Sequence, residues 1–255
     1  MSSAWAAARS SPEHVSLSPR WFSLAPSILK PVFGVGAGEL LQSAFLIVTS
    51  LVLNNLAVAY GDTALAAMGV AVRIAQVPEF LVMGVTLGVL PLLAYSFGKR
   101  DRARLAASMR ASAIAVGLIA GVFAGTLFVF REQVFTVFVS DPAVLAIGGT
   151  IIAAQLVAMI ANGFAGLLTS YFQATGRSLP AIVLSMTQGV LSIPIVIFGN
   201  LWFGLAGIIW SLTISEGLVL GAGLVLFFAT RRGIGRDLAD GSEKRADQAL
   251  ESAAA

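Results

Sequence analysis

Six stretches of this chain, 31–57, 63–96, 108–130, 143–171, 179–200 and 204–229, are apolar and at least as long as the roughly 20 residues an α-helix needs to cross a bilayer. A segment in hydrocarbon must satisfy its own backbone hydrogen bonds, which only helices and closed barrels do. Barrel strands are about 10 residues long and alternate apolar with polar residues, and these runs do neither. The expectation is an all-α integral membrane bundle of six transmembrane helices over 31–230, between an N-terminal tail, 1–30, and a C-terminal tail, 231–255. Composition agrees: 57% of residues are hydrophobic and 11% charged, against about 25% charged in a soluble domain. Residues 1–30 lack the continuous apolar core of a signal peptide, although Trp21, Phe22, Leu24, Ile28 and Leu29 suit a membrane surface.

The absence of cysteine excludes disulfides, thiolate metal sites and thiol nucleophiles. His14, the sole histidine, sits in the tail, so the bundle lacks the usual general base and the commonest metal ligand. Gly34-Val-Gly-Ala-Gly38 has no strand and crossover around it, which removes the phosphate-loop reading of a Gly-rich stretch.

Charge sets an expected orientation. With the first helix running outward, Arg9, Arg20, Lys30, the basic loop from Lys99 to Arg110, Arg177 and the basic C-terminal tail all fall on one side. Only Arg131 falls on the other, and Arg73 lies within a helix, so the positive-inside rule places both termini in the cytoplasm. The net charge of +3 is then explained by loops facing anionic lipid, and no nucleic-acid partner is expected. End signals mark the boundaries: Ser140-Asp-Pro142 offers an N-cap and a Pro at N1, and Gly176 a C-terminal cap.

The second run carries the chain's main conflict. Its 14 Leu, Ile, Val and Phe residues are worth about −6 kcal/mol of insertion energy, while Arg73 and Glu79 cost about +2.5 to +3.5 kcal/mol each near the centre. Both ions are therefore expected to face protein or water. They stand six positions apart, about 120° around the helix, which rules out the usual i,i+4 pair. Pro78 leaves the Ile74 carbonyl without its helical donor and predicts a kink. Counted from the loops, Glu79 and Glu216 fall near the bilayer midplane, Glu39 nearer the cytoplasm and Arg73 toward the outside. Carboxyl groups at that depth are candidates for reversible protonation; the plainer alternative is an Arg–Glu pair that only fixes packing.

Amides extend the polar face: Gln42, Asn54 and Asn55 on the first helix, Gln76 on the second, Gln155, Asn162 and Gln173 on the fourth and Gln188 on the fifth. A single amide in a membrane helix is ordinarily interhelical glue worth about 0.6 kcal/mol, so their number is the better signal. The third helix instead carries Gly117, Gly121 and Gly125, a small-residue ladder that predicts close helix packing. The substrate and ion-coupling candidates are thus Glu39, Gln42, Arg73, Gln76, Glu79, Gln155, Asn162, Gln188 and Glu216, with no catalytic residue and no metal site.

The order of several motifs over 31–229 resembles the multidrug and toxic compound extrusion transporters, specifically their C-terminal six-helix half. The resemblance is carried by Tyr60-Gly-Asp-Thr-Ala-Leu-Ala-Ala-Met-Gly69 with Arg73-Ile74, Pro91-Leu-Leu-Ala-Tyr-Ser-Phe-Gly98 before a basic loop, and Phe135-Thr-Val-Phe-Val-Ser-Asp-Pro142. It continues through Tyr171-Phe-Gln-Ala-Thr-Gly-Arg177, Gln188-Gly189 with Pro194, and Phe203-Gly-Leu-Ala-Gly-Ile-Ile-Trp210.

The resemblance implies two six-helix lobes rocking about a central cavity in the inner membrane, exporting organic cations or other amphipaths by proton- or sodium-coupled antiport, with no cofactor besides the coupling ion. This chain departs by having one lobe. The N-lobe carboxylate that part of the family uses for coupling is absent; where another branch uses acids on the first and fourth helices, Glu39 falls several residues short and the fourth helix has none. A lone lobe would turn its polar face to lipid, so a second lobe is expected, either a second copy of this chain or a separately encoded half. The alternatives are a lipid-linked precursor flippase of the same superfamily, an intramembrane hydrolase using Glu79 and Glu216 as acid and base, and an inactive truncated or assembly subunit.

Overall fold

The computed structural model describes the backbone of residues 26–139 and 141–254, and the side chains of 33, 40, 42–139, 141–231 and 233–235. The interfacial reading of the N-terminal tail, the N-cap role of Ser140, the side chain of Glu39 and the charges of the C-terminal tail beyond 235 lie outside the described residues. The chain divides into two units, Met1–Ala37 and Gly38–Ala255, and the second contains the site.

Every described element is a helix: α1 (Pro26–Val58), α2 (Asp62–Gly98), α3 (Arg102–Val129), α4 (Arg131–Phe138), α5 (Pro142–Ala174) and α6 (Ser178–Ala254). The apolar part of α6, Ser178–Arg231, has 54 residues, or about 80 Å of helix, far more than the roughly 30 Å of a bilayer core. Gly204 breaks it, with φ 58° and ψ −137°. Its two apolar limbs, 178–203 and 205–231, fold back on each other as an antiparallel hairpin. Their partners step down one limb as they step up the other: Gly199 lies against Gly207, Ser211 Oγ donates to the Ile195 carbonyl at 3.3 Å, Ser192 and Ser215 share a hydrogen bond of 2.8 Å, and Gln188 reaches Glu216. The limbs touch so closely that a Cβ at Gly207 would overlap the Gly199 carbonyl oxygen.

With α6 counted as two crossings, the membrane-length helices are α2, α3, α5 and both α6 limbs, and Gln42–Val58 of α1 adds a shorter apolar helix. The bundle is all-α, and the chain is a multi-pass membrane protein. One element differs from the sequence reading. Residues 131–138 form a separate eight-residue helix, α4, which lies between α3 and α5 and buries Phe135. It begins where α3 closes at Phe130.

The ends follow local chemistry. Asp101 caps α3 by accepting from the Arg104 N–H at 2.9 Å, and Asp141 caps α5 by accepting from the Ala143 N–H at 2.9 Å with Pro142 at the first turn. Gly176, at φ +68°, closes α5 while the Arg177 N–H returns to the Phe172 carbonyl at 2.9 Å, the bond of a Schellman cap.

Helix α5 is the hub, packing on α2, α3 and α6. Buried apolar residues form two clusters. One includes Met68, Ile74, Val82, Ile152, Met159, Val196 and Ile208; the other includes Val89, Leu93, Leu167, Phe172, Leu184 and Val219. Asn162 of α5, Gln188 of α6 and Glu216 of α6 fall in the interval between them.

The glycine ladder of α3 packs at one rung. A Cβ on Gly117 would meet Phe164 Cζ at 3.5 Å, whereas Gly121 and Gly125 have nothing within 4 Å. Residues four apart advance about 400°, so such a stripe drifts about 40° per rung and leaves the contact line.

Candidate functional site

Arg73, Gln76 and Glu79 occupy successive turns of α2 and all three line a cavity of about 550 Å³. Facing them are Thr49, Ser50 and Asn54 of α1, Gln155 and Asn162 of α5, and Gln188, Ser192 and Glu216 of α6. Leu46, Leu53, Met68, Met159 and Leu212 supply apolar wall between the polar groups. A second chamber of about 360 Å³ adjoins it, lined by Gln42, Gln173, Thr169 and Ser170 among others. Leu46, Glu79, Met159, Asn162 and Gln188 belong to both linings and mark the passage between the two.

The amides divide into two kinds. Gln42 Nε2 donates to Gln188 Oε1 at 2.8 Å, and Gln188 Nε2 donates to Glu216 Oε1 at 2.9 Å. This rail joins α1 to both limbs of α6, the interhelical glue expected of amides in a bilayer. Arg73, Gln76, Glu79, Gln155 and Asn162 have no hydrogen-bond or ion-pair partner among the described residues, and all face the cavity. Two acceptors are left over. Glu216 Oε2 and the Thr49 hydroxyl are buried without a partner among the described residues, Thr49 being only 4% exposed. Groups left open in this way require water, an ion or a ligand.

Glu79 and Glu216 line the same cavity, so the two carboxyl groups act on one volume. The plainer alternative, an Arg–Glu pair that only fixes packing, is not formed by Arg73 among the described residues, and its guanidinium faces the cavity. Glu39 lies on α1, and its side chain is outside the described residues. No group of three acids or histidines able to hold a metal occurs among the described residues.

Sequence reasoning missed Thr49, Ser50 and Ser192 as lining residues. Their hydroxyls are ordinary in membrane helices, where they bond to the carbonyl one turn back; Ser192 does so to Gln188 at 2.5 Å. Position relative to the amides was the available signal, since Ser192 is one turn from Gln188 and Ser50 one turn from Asn54. Asn55 turns away from the cavity and donates to the Leu51 carbonyl at 2.8 Å.

The family profile MatE matches residues 36–198. A multidrug export protein, MepA, of Staphylococcus saprophyticus is 32% identical over 217 residues, covering 85% of this chain and 48% of that protein. The MepA protein of Staphylococcus aureus is 32% identical over 204 residues, covering 80% and 45%. The chain spans about half the length of the curated relatives it matches. Among solved structures, a MATE in the bent conformation superimposes with a TM-score of 0.79 at 17% identity, covering 88% of this chain and 50% of that one. An outward-facing multidrug resistance MATE family transporter superimposes with a TM-score of 0.74 at 19% identity, covering 88% and 50%. The profile match over more than half of its residues and the shared all-α fold establish that this chain belongs to the MatE family.

Proposed function

We propose that this chain is one lobe of a secondary active efflux transporter, the C-terminal half in the family's arrangement, and that the 550 Å³ cavity is its half of the transport pathway. The single observation that carries the reading is the number of cavity-facing polar groups without partners among the described residues, Arg73, Gln76, Glu79, Gln155 and Asn162 among them. Groups that serve only packing bond to one another; groups that serve a changing occupant stay open. The name of the MepA relatives, multidrug export protein, supports export of drugs.

Glu79 and Glu216 carry the coupling in this reading, exchanging a proton or sodium ion against substrate and biasing inward- against outward-open states. Gln188 steadies Glu216 by its hydrogen bond. Both termini lie in the cytoplasm, as charge predicts. A second lobe, another copy or a separately encoded half, closes the vestibule, because a polar wall facing hydrocarbon would cost several kcal/mol per unsatisfied group. The lining favours export over lipid-linked precursor flipping, since Arg73 is the single Lys or Arg in either chamber among the described residues. The hydrolase alternative falls with membership of a transporter family.

The test is export of a cationic dye from everted vesicles. Glu79→Gln and Glu216→Gln are expected to abolish export at unchanged expression; normal export by both would contradict the coupling roles.

A further inference from the structure

Two helix ends in this chain close with the same hydrogen-bond pattern but on different residues. At the end of α5, Gly176 holds the left-handed position at φ +68°, its N–H bonded to the Gln173 carbonyl and the Arg177 N–H to that of Phe172. At the end of α2, Arg100 holds it at φ +59°, its N–H bonded to the Phe97 carbonyl and the Asp101 N–H to that of Ser96. Glycine adopts that conformation freely, whereas an arginine is strained in it. Arg100 stands among other cations. Lys99 Nζ lies 4.8 Å from the centroid of the Tyr95 ring and the Arg104 guanidinium carbon 5.3 Å from it, so one ring gathers a cation from the end of α2 and another from α3. Lys99, Arg100, Arg102 and Arg104 are all exposed, and none forms an ion pair among the described residues. Asp101, the one acid between residues 99 and 110, is turned to the start of α3, where it accepts from the Arg104 N–H at 2.9 Å.

We propose that this corner between α2 and α3 is a binding site for the headgroup of an anionic phospholipid. The site is separate from the polar cavity and stands independently of the export reading. Charge sets the sign of the ligand: guanidinium groups present forked N–H donors to a phosphate, and the Lys99 ammonium adds a point charge beside them. Position selects a lipid over a soluble anion. Leu92 and Tyr95 are exposed on the last turns of α2, and Tyr95 stands about 160° around the helix from Glu79, so this face looks away from the cavity and toward hydrocarbon. The cations thus sit at the end of an apolar strip that enters the bilayer, with a tyrosine at the junction, as suits a molecule with a charged head and an acyl tail. A nucleic acid or an acidic peptide would use the cations and leave the strip idle. The strain at Arg100 fits the same purpose, since it keeps a charge at the corner where glycine would cap the helix more easily.

The test is native mass spectrometry of the full chain in detergent with dioleoyl phosphatidylglycerol or dioleoyl phosphatidylcholine, which share their acyl chains and differ in net charge. Wild type is expected to hold the anionic lipid at least about 10-fold more tightly, the yield of several cations around one headgroup. Lys99→Gln and Arg104→Gln are each expected to lower that preference about 5-fold, whereas Arg110→Gln, which removes a charge further along α3, should leave it within about 2-fold. Arg100→Gly removes charge and strain together, so it should weaken the preference without lowering the melting temperature in lipid-free detergent. That variant separates loss of the site from loss of the fold. Equal binding of the two lipids by wild type would overturn the proposal. Equal losses from Arg104→Gln and Arg110→Gln would also overturn it, by reducing the site to diffuse attraction. Displacement of the bound lipid by glycerol 3-phosphate would overturn the lipid assignment in favour of a soluble anion.

Discussion

The bundle contains two hollows of similar size and opposite character. One, of about 670 Å³, is a groove on the α6 hairpin lined by Leu191, Pro194, Phe198, Trp202, Phe203 and Trp210, with Ser211 the one hydroxyl in its lining. The other, of about 550 Å³, is the polar cavity. Ser211 is already spent on the Ile195 and Gly207 carbonyls, so the groove offers no polar side-chain group besides the indole N–H donors of Trp202 and Trp210. Size alone favours the groove. In a bilayer, however, an open apolar surface is the default condition of a helix facing lipid; Phe198 and Trp202 are 53% and 76% exposed. Unspent polarity is the exception there, because each such group costs free energy in hydrocarbon. The smaller hollow is therefore the informative one.

Six substitutions probe different parts of this contrast. Gly207→Leu should be the most damaging, since its Cβ would overlap the Gly199 carbonyl oxygen and backbone atoms cannot step aside. Overpacking of this kind costs about 1–3 kcal/mol or more; loss of folded protein in size-exclusion chromatography is the readout. If Gly207→Leu folds normally, the hairpin is not packed as described.

Next come the two linings. Gln155→Leu and Asn162→Leu, which keep bulk and remove polarity, should cut dye export by about 10-fold or more, as loss of one polar contact to a substrate does. Phe198→Leu in the groove should leave export within about 2-fold, the range of a surface change. Equal effects on both sides would erase the distinction between the hollows.

Gln42→Leu breaks the rail at its first link. It should cost about 0.6 kcal/mol of stability, with an upper range near 1.7, as for other interhelical hydrogen bonds in membranes. A thermal melt in detergent measures it. The smallest effect is expected at Gly121→Ala, which adds a methyl group where nothing lies within 4 Å; stability should move by less than about 0.5 kcal/mol. A larger loss in membranes would mean that another chain occupies that face.

The long helices were legible in the sequence because crossing a bilayer demands an uninterrupted apolar run, which few other structures need. Helix α4 was hidden because its eight residues, Arg131–Phe138, mix charge with two phenylalanines in a stretch too short for any periodic signal. Among site residues, Arg73, Gln76, Glu79, Gln155, Asn162, Gln188 and Glu216 declare themselves by being polar at membrane depth, and the structure brings all seven to one cavity. The sequence does not say which amides are spent on one another. Gln42 and Gln188 are far apart along the chain, and only the packing of α1 on α6 makes them partners. Nor does it say that Gly121 and Gly125 face outward, because a ladder of four-residue steps looks the same whether or not a neighbouring helix follows its drift.

The central claim is that the polar wall borders water while the aromatic groove borders lipid. The chain has no cysteine, so single substitutions report one position each. In membranes carrying Gln76→Cys or Phe198→Cys, a charged, impermeant thiol reagent applied from both sides should label position 76 and spare position 198. Labelling of position 198 with position 76 inert would contradict the account.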